Sequence, residues 1–173
     1  MDILQIVLRI AHIFGGVMWV GGSALFFFFL EPAAKATAPE SRKYMGHLMS
    51  RGRFITFMAV ASLTTIIAGA LLYWRASGFR IEWITSGPGL GFTIGATASI
   101  IVFLFGNLVI GPTAERLATL VQRIQDAGVA PSAEQTAELH RLEARMTRLG
   151  RIDILLLGLA LLTMATARYW TFM

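Results

Sequence analysis

The stretch AHIFGGVMWVGG, residues 11–22, lies inside an apolar run from Ile3 to Leu30 whose clearly polar members are Gln5, Arg9, His12 and Ser23. A run of that length and composition predicts a transmembrane helix. At helical spacing His12, Gly16 and Trp19 fall on one face. Lipid offers an imidazole no hydration, so some partner has to compensate it, and a histidine in this place is a functional candidate by default.

The rest of the chain reads as packing around that face. Of its 173 residues, 55% are hydrophobic and 14% charged, with mean hydropathy +0.65, too apolar for a soluble domain of this length. Segments 3–30, 54–74, 87–110 and 152–170 are each long and apolar enough to cross a bilayer. Backbone groups in hydrocarbon must be paired within their own segment, so these are helices. The expectation is an all-α integral membrane four-helix bundle forming one domain over residues 1–173, with Pro32 and Gly111-Pro112 as helix stops. Asp2 and the absence of Lys or Arg ahead of the first run predict that this helix is kept, despite the small-residue pattern Ala34-Lys35-Ala36.

Orientation follows from the basic residues. The first connection holds Lys35, Arg42, Lys43, Arg51 and Arg53; the second, Arg75 and Arg80; the third, Arg116, Arg123, Arg141, Arg145, Arg148 and Arg151. Connections one and three are predicted to be cytoplasmic, which puts both termini on the outer (periplasmic) side of a bacterial inner membrane. Tyr73, Trp74, Trp83, Tyr169 and Trp170 then form an aromatic belt on that outer side. The net charge of +5 and pI near 10.4 are accounted for by these loops, so the partner is the lipid bilayer and no nucleic acid is expected.

The third connection is patterned. Leu117, Leu120, Val121 and Ile124 keep a helical period beyond Pro112, Gly128 and Pro131 interrupt it, and Ser132 with Gln135 forms a capping box. Leu139, Leu142, Met146 and Leu149 continue as the stripe of a second piece, so residues 113–150 predict an amphipathic helical hairpin on the cytoplasmic surface. There is also a faint repeat. Glu31-Pro32-Ala33-Ala34 matches Gly111-Pro112-Thr113-Ala114, Met49-Ser50-Arg51 matches Met146-Thr147-Arg148, and Tyr73-Trp74 matches Tyr169-Trp170. Two helix pairs of the same orientation would make a parallel-repeat bundle.

His12 stands nine residues after Ile3, ~13 Å along a helix and hence in the outer half of the bilayer. A flat ligand could lie against Gly16 and Trp19 with His12 above it, and haem fits that description because imidazole is a common axial ligand. Arg9, one turn outward, could pair with a propionate or snorkel to the headgroups. The alternative for His12 is a core histidine bonded to a carbonyl or to Ser/Thr across the bundle. His47 and His140 lie at the cytoplasmic side, His47 preceding helix two, while His12 is ~27 Å from that side. Met164 therefore remains as a second axial ligand, with gap-filling or an open five-coordinate site as the alternatives. Gly91, Gly95 and Ser99 form a small-residue face for close packing, for a planar ligand or against a second copy. Asn107 and Asp153 are expected to pair with flanking arginines. Met45, His47 and Met49 could form a soft site for Cu(I). The chain has no cysteine, and no nucleophile with a base, phosphate-cradling loop or zinc-spaced set is present.

On His12-x3-Gly16-x2-Trp19-x-Gly21-Gly22 and Leu48-Met49-Ser50-Arg51, the first half of the chain resembles the CopD-like membrane proteins and, more loosely, the HemJ-type protoporphyrinogen oxidases. The resemblance implies a membrane bundle of four or more helices in which His12 is a haem or metal ligand. The third helix departs from the HemJ type, since the region from Gly91 to Ser99 carries no lysine. The resulting expectation is a membrane-bound b-type haem protein with a redox role, acting with a redox partner or on a small molecule such as a porphyrin or an oxygen species. His12 and Met164 would be metal ligands, and Arg9, Gly16 and Trp19 cofactor contacts. A copper-handling transporter and a cofactor-free structural or assembly subunit are the alternatives.

Overall fold

The computed structural model describes residues 2–50 and 53–171. Arg51, counted above among the basic residues of the first connection, lies outside the described residues. Helix α1 (Ile3–Leu25) opens on Asp2, whose carboxylate accepts the Gln5 N–H at 2.8 Å. The same carboxylate meets Arg75 at 2.5 Å, tying the start of α1 to the end of α4 (Arg53–Ser77). The Gln5 N–H and the Arg75 guanidinium hold Asp2 below the usual carboxylate range.

Neither Pro32 nor Pro112 stops its helix. α1 passes through a π-helical turn, Phe26–Leu30, into α2 (Glu31–Ala36), and α6 (Gly87–Phe105) passes through a second, Gly106–Ile110, into α7 (Gly111–Ala127). Proline donates no N–H and its ring crowds the carbonyl four residues back, which ends an ordinary α-helix. Here the turn before each proline widens instead: Glu31 N–H reaches Phe26 O and Gly111 N–H reaches Gly106 O, each five residues back. The first helix therefore runs from Ile3 to Ala36 and the third from Gly87 to Ala127.

Between these lie α3 (Ser41–Ser50) and the short α5 (Ile81–Ile84), and the chain finishes with α8 (Ala133–Thr166) and a 3-10 turn, Ala167–Tyr169. α7 ends on Gly128, held at φ 63°, where a side chain would be strained. α8 begins with the expected capping box: Ser132 Oγ accepts from Gln135 N–H at 3.1 Å and Gln135 Oε1 accepts from Ser132 N–H at 2.9 Å. Its stripe of Leu139, Leu142 and Leu149 is buried. The hairpin read over 113–150 is thus continuous with the helices on either side, and α7 packs on α3 and on α8.

The chain is a multi-pass membrane protein with four candidate spans, in helices covering Ile3–Ala36, Phe54–Ser77, Gly87–Ala127 and Ala133–Tyr169. No strand occurs among the described residues. α1 packs antiparallel on α4 and α6 antiparallel on α8; contacts between these pairs are sparser. Lipid tails are as apolar as leucine, so such helices associate through close van der Waals contact. Small residues provide it. A Cβ on Gly15 would stand 2.7 Å from Thr65 Oγ1 and 3.1 Å from Ala61 O, and one on Gly95 would stand 2.9 Å from Thr163 Oγ1 and 3.2 Å from Ala160 O. Both threonines donate to carbonyls of their own helices, Thr65 to Ala61 and Thr163 to Leu159, so neither needs a partner across the seam. The two pairs meet at a central layer of Trp19, Ala61, Val102 and Leu157, one residue from each spanning helix.

Overpacking a closed seam costs about 1–3 kcal/mol. Gly15→Leu and Gly95→Leu are expected to lower the thermal unfolding midpoint in detergent micelles. Gly21→Leu, where an added Cβ meets nothing within 4 Å, is expected to leave it in place.

Candidate functional site

α1 directs Leu8, Gly15 and Trp19 inward, with His12 half-buried on the same stripe. Ile3, Val7, Ile10, Phe14 and Val17 are exposed and provide the lipid-facing side. The His12 ring crosses to α4, where Nδ1 lies 2.9 Å from the Thr65 carbonyl oxygen. That oxygen already serves its own helix, which offers it the N–H of Gly69 four residues on. A carbonyl has a second lone pair, and Gly69 leaves room to reach it: a Cβ there would stand 2.8 Å from His12 Cε1 and 2.9 Å from Nδ1. A carbonyl only accepts, so the Nδ1 facing it carries the proton, and in the neutral ring Nε2 keeps its lone pair.

Gly16, next to the seam, faces the Thr65 methyl, 3.8 Å from where its Cβ would be. Trp19 is buried in the central layer. Arg9 is exposed at the start of α1. Met164 belongs to the other pair, its Cγ 2.5 Å from the position of a Cβ on Gly95. The structure thus gathers His12, Gly16 and Trp19 along α1 at its contact with α4, and sets Met164 in the α6–α8 contact. His47 is exposed on α3, beside Lys43 and Gly46 and facing Ala118 and Val121 of α7. Met49 instead lines a central cavity.

That cavity was not anticipated from the sequence. On the far side of Trp19 from His12 the helices part around a space of about 620 Å³. Trp19, Met58 and Val102 border it toward the central layer, and Phe26, Phe27, Phe54 and Phe103 provide aromatic walls. Its polar lining includes Ser23, Ser62, Glu31, Asn107, Glu115 and Asp153. Asp153 stands near Ser23 across the α1–α8 contact, and Asn107 Nδ2 donates to Phe103 O at 2.7 Å in its own helix. Among the described residues neither forms the arginine pairing expected of it. Glu31 accepts from Lys35 at 2.6 Å and from the Thr147 hydroxyl. The signal that could have found this site is an acidic residue one step inside the fourth apolar run, at Asp153.

Among the described residues no group of three or more His, Cys, Asp or Glu is placed to hold a metal ion. No family model, curated protein or solved structure matches the chain.

The contact between His12 and Gly69 is testable through stability. Gly69→Ala is expected to destabilise the protein by about 1–3 kcal/mol through overpacking, and His12→Ala to remove most of that cost. A double-mutant cycle read by thermal or denaturant unfolding would then give a coupling energy well above the ~0.5 kcal/mol scatter of independent sites. Additive effects would mean that Gly69 does not serve the ring.

Proposed function

We propose that this protein is a b-type haem protein of the bacterial inner membrane with a redox role, and that His12 is its axial ligand. The observation that carries the reading is the bond from His12 Nδ1 to the Thr65 carbonyl. A metal-ligating histidine generally donates its other ring N–H to a carbonyl or carboxylate, which sets the tautomer and raises the basicity of the ligating nitrogen. His12 meets that condition, and its half-buried place within a candidate span would keep the group out of bulk water. A core histidine would use the same bond, so the deciding measurement is the spectrum of the group itself.

In this reading His12 would hold the iron through Nε2, and Gly16 and Trp19 would be the contacts of the group along the same helix. Arg9, one turn toward the amino end, would pair with a propionate carboxylate. Met164, tucked into the other helix pair, stands beside the group in this reading, and an open coordination position suits a small oxidant. When bound, the haem would supply one-electron chemistry. The chain's part is to orient the imidazole, limit water and place a cation near the propionates.

In the same reading the two helix pairs are repeats of one unit, each with a glycine–threonine seam and a proline-led π-helical turn, and they assemble as a four-helix bundle. The arginine-rich α7–α8 end and α3 are cytoplasmic, and the end bearing Tyr73, Trp83 and Trp170 is periplasmic. The copper reading lacks comparable support, because His47 is exposed on α3 while Met49 lines the central cavity.

Purified protein is expected to show a Soret band that His12→Ala removes while Met164→Ala leaves most of it. A colourless preparation with stoichiometric copper would overturn the haem reading in favour of metal handling. A Soret band unchanged in His12→Ala would overturn the ligand assignment.

A further inference from the structure

We propose that the cavity beside Trp19 is a binding site for an organic cation with an apolar, aromatic or branched body. The proposal stands apart from the reading of His12, because the cavity lining includes neither His12 nor Met164.

Three observations carry it. The first is size: about 620 Å³ falls within the range of small-molecule sites, roughly 300–1,000 Å³. The second is the sorting of charge. The chain has 15 Lys and Arg against 10 Asp and Glu, yet among the described residues the cavity lining holds Glu31, Glu115 and Asp153 and no Lys, Arg or His. An anion would find no counter-charge among them. Glu31 is already paired with Lys35, whereas no ion pair to Asp153 occurs among the described residues, which leaves its carboxylate available to a ligand. A bare divalent ion is a poor candidate, since no cluster of three or more His, Cys, Asp or Glu forms among the described residues. Aromatic faces at Trp19, Phe27 and Phe54 suit a cation that carries hydrocarbon.

The third is backbone. Both π-helical turns border the space, the first through Phe26 and Phe27 and the second through Gly106, Asn107 and Ile110. Such turns are rare and gather at functional sites.

The probe is tetraphenylphosphonium, with tetraphenylborate as an anion of matching shape, measured by equilibrium dialysis on the full chain in nanodiscs and corrected with empty discs. Saturable binding of the phosphonium at one site per chain is expected, with quenching of Trp19, the one tryptophan in the cavity lining. The borate is expected to show no saturable binding. Asp153→Asn should weaken phosphonium binding at least tenfold. Gly106→Leu should abolish it by filling the cavity, since a Cβ there meets nothing within 4 Å and the fold is expected to accept it. Equal binding of the two ions, undiminished binding in Gly106→Leu, or unchanged affinity in a folded Asp153→Asn would each overturn the proposal. Should Asp153→Asn fail to fold, the comparison of the two ions on the unaltered chain decides.

Discussion

Close approach of helix backbones at small residues is the constraint on which the rest of the structure depends. In lipid the helices gain little from burying leucine, so they associate where their surfaces fit most closely. Gly15 against Thr65 and Ala61, and Gly95 against Thr163 and Ala160, bring the partners of each pair together on the amino side of the central layer. Gly69 is a special case of the same rule. Its missing side chain opens the Thr65 carbonyl to His12, so an ionisable ring is held among apolar helices with its Nδ1 proton satisfied.

Beyond the layer of Trp19, Ala61, Val102 and Leu157 the packing changes character. Each of the first and third helices meets a proline and continues through it by widening one turn. Aromatic and polar side chains of these turns border the large cavity, and the carboxylate of Asp153 lies on its wall. Tight seams on one side and hollow space on the other follow from where glycine and proline stand in the same two helices. The molecule thus has two chemically distinct places, one built around an imidazole and the other around carboxylates and aromatic faces.

Much of the architecture was legible in the sequence, because hydropathy and helix-end chemistry act locally. The four spans, the Ser132–Gln135 capping box, the Gly128 stop and the Leu139–Leu142–Leu149 stripe all depend on neighbours within a turn or two. Pro32 and Pro112 misled because a proline reads as a stop unless the preceding turn can widen, and that depends on tertiary packing. Asp153 misled for a different reason: arginines lie beside it in sequence, but α8 turns it toward Ser23 of α1, about 130 residues earlier. The requirement that His12 have a partner could be foreseen from its apolar surroundings. The partner's identity could not, since it rests on the register of α1 against α4 and on a single glycine in the facing helix.

The contrast between closed seams and an open cavity can be read directly by thiol accessibility, because the native chain has no cysteine. Single cysteines at Asn107 and Gly106, which line the cavity, and at Thr65 and Thr163, which are buried in the seams, would be exposed in nanodiscs to a small water-soluble cationic thiol reagent. Rapid modification is expected at the first two positions and protection at the other two. Equal reactivity at all four, or protection at Asn107 and Gly106, would contradict the contrast.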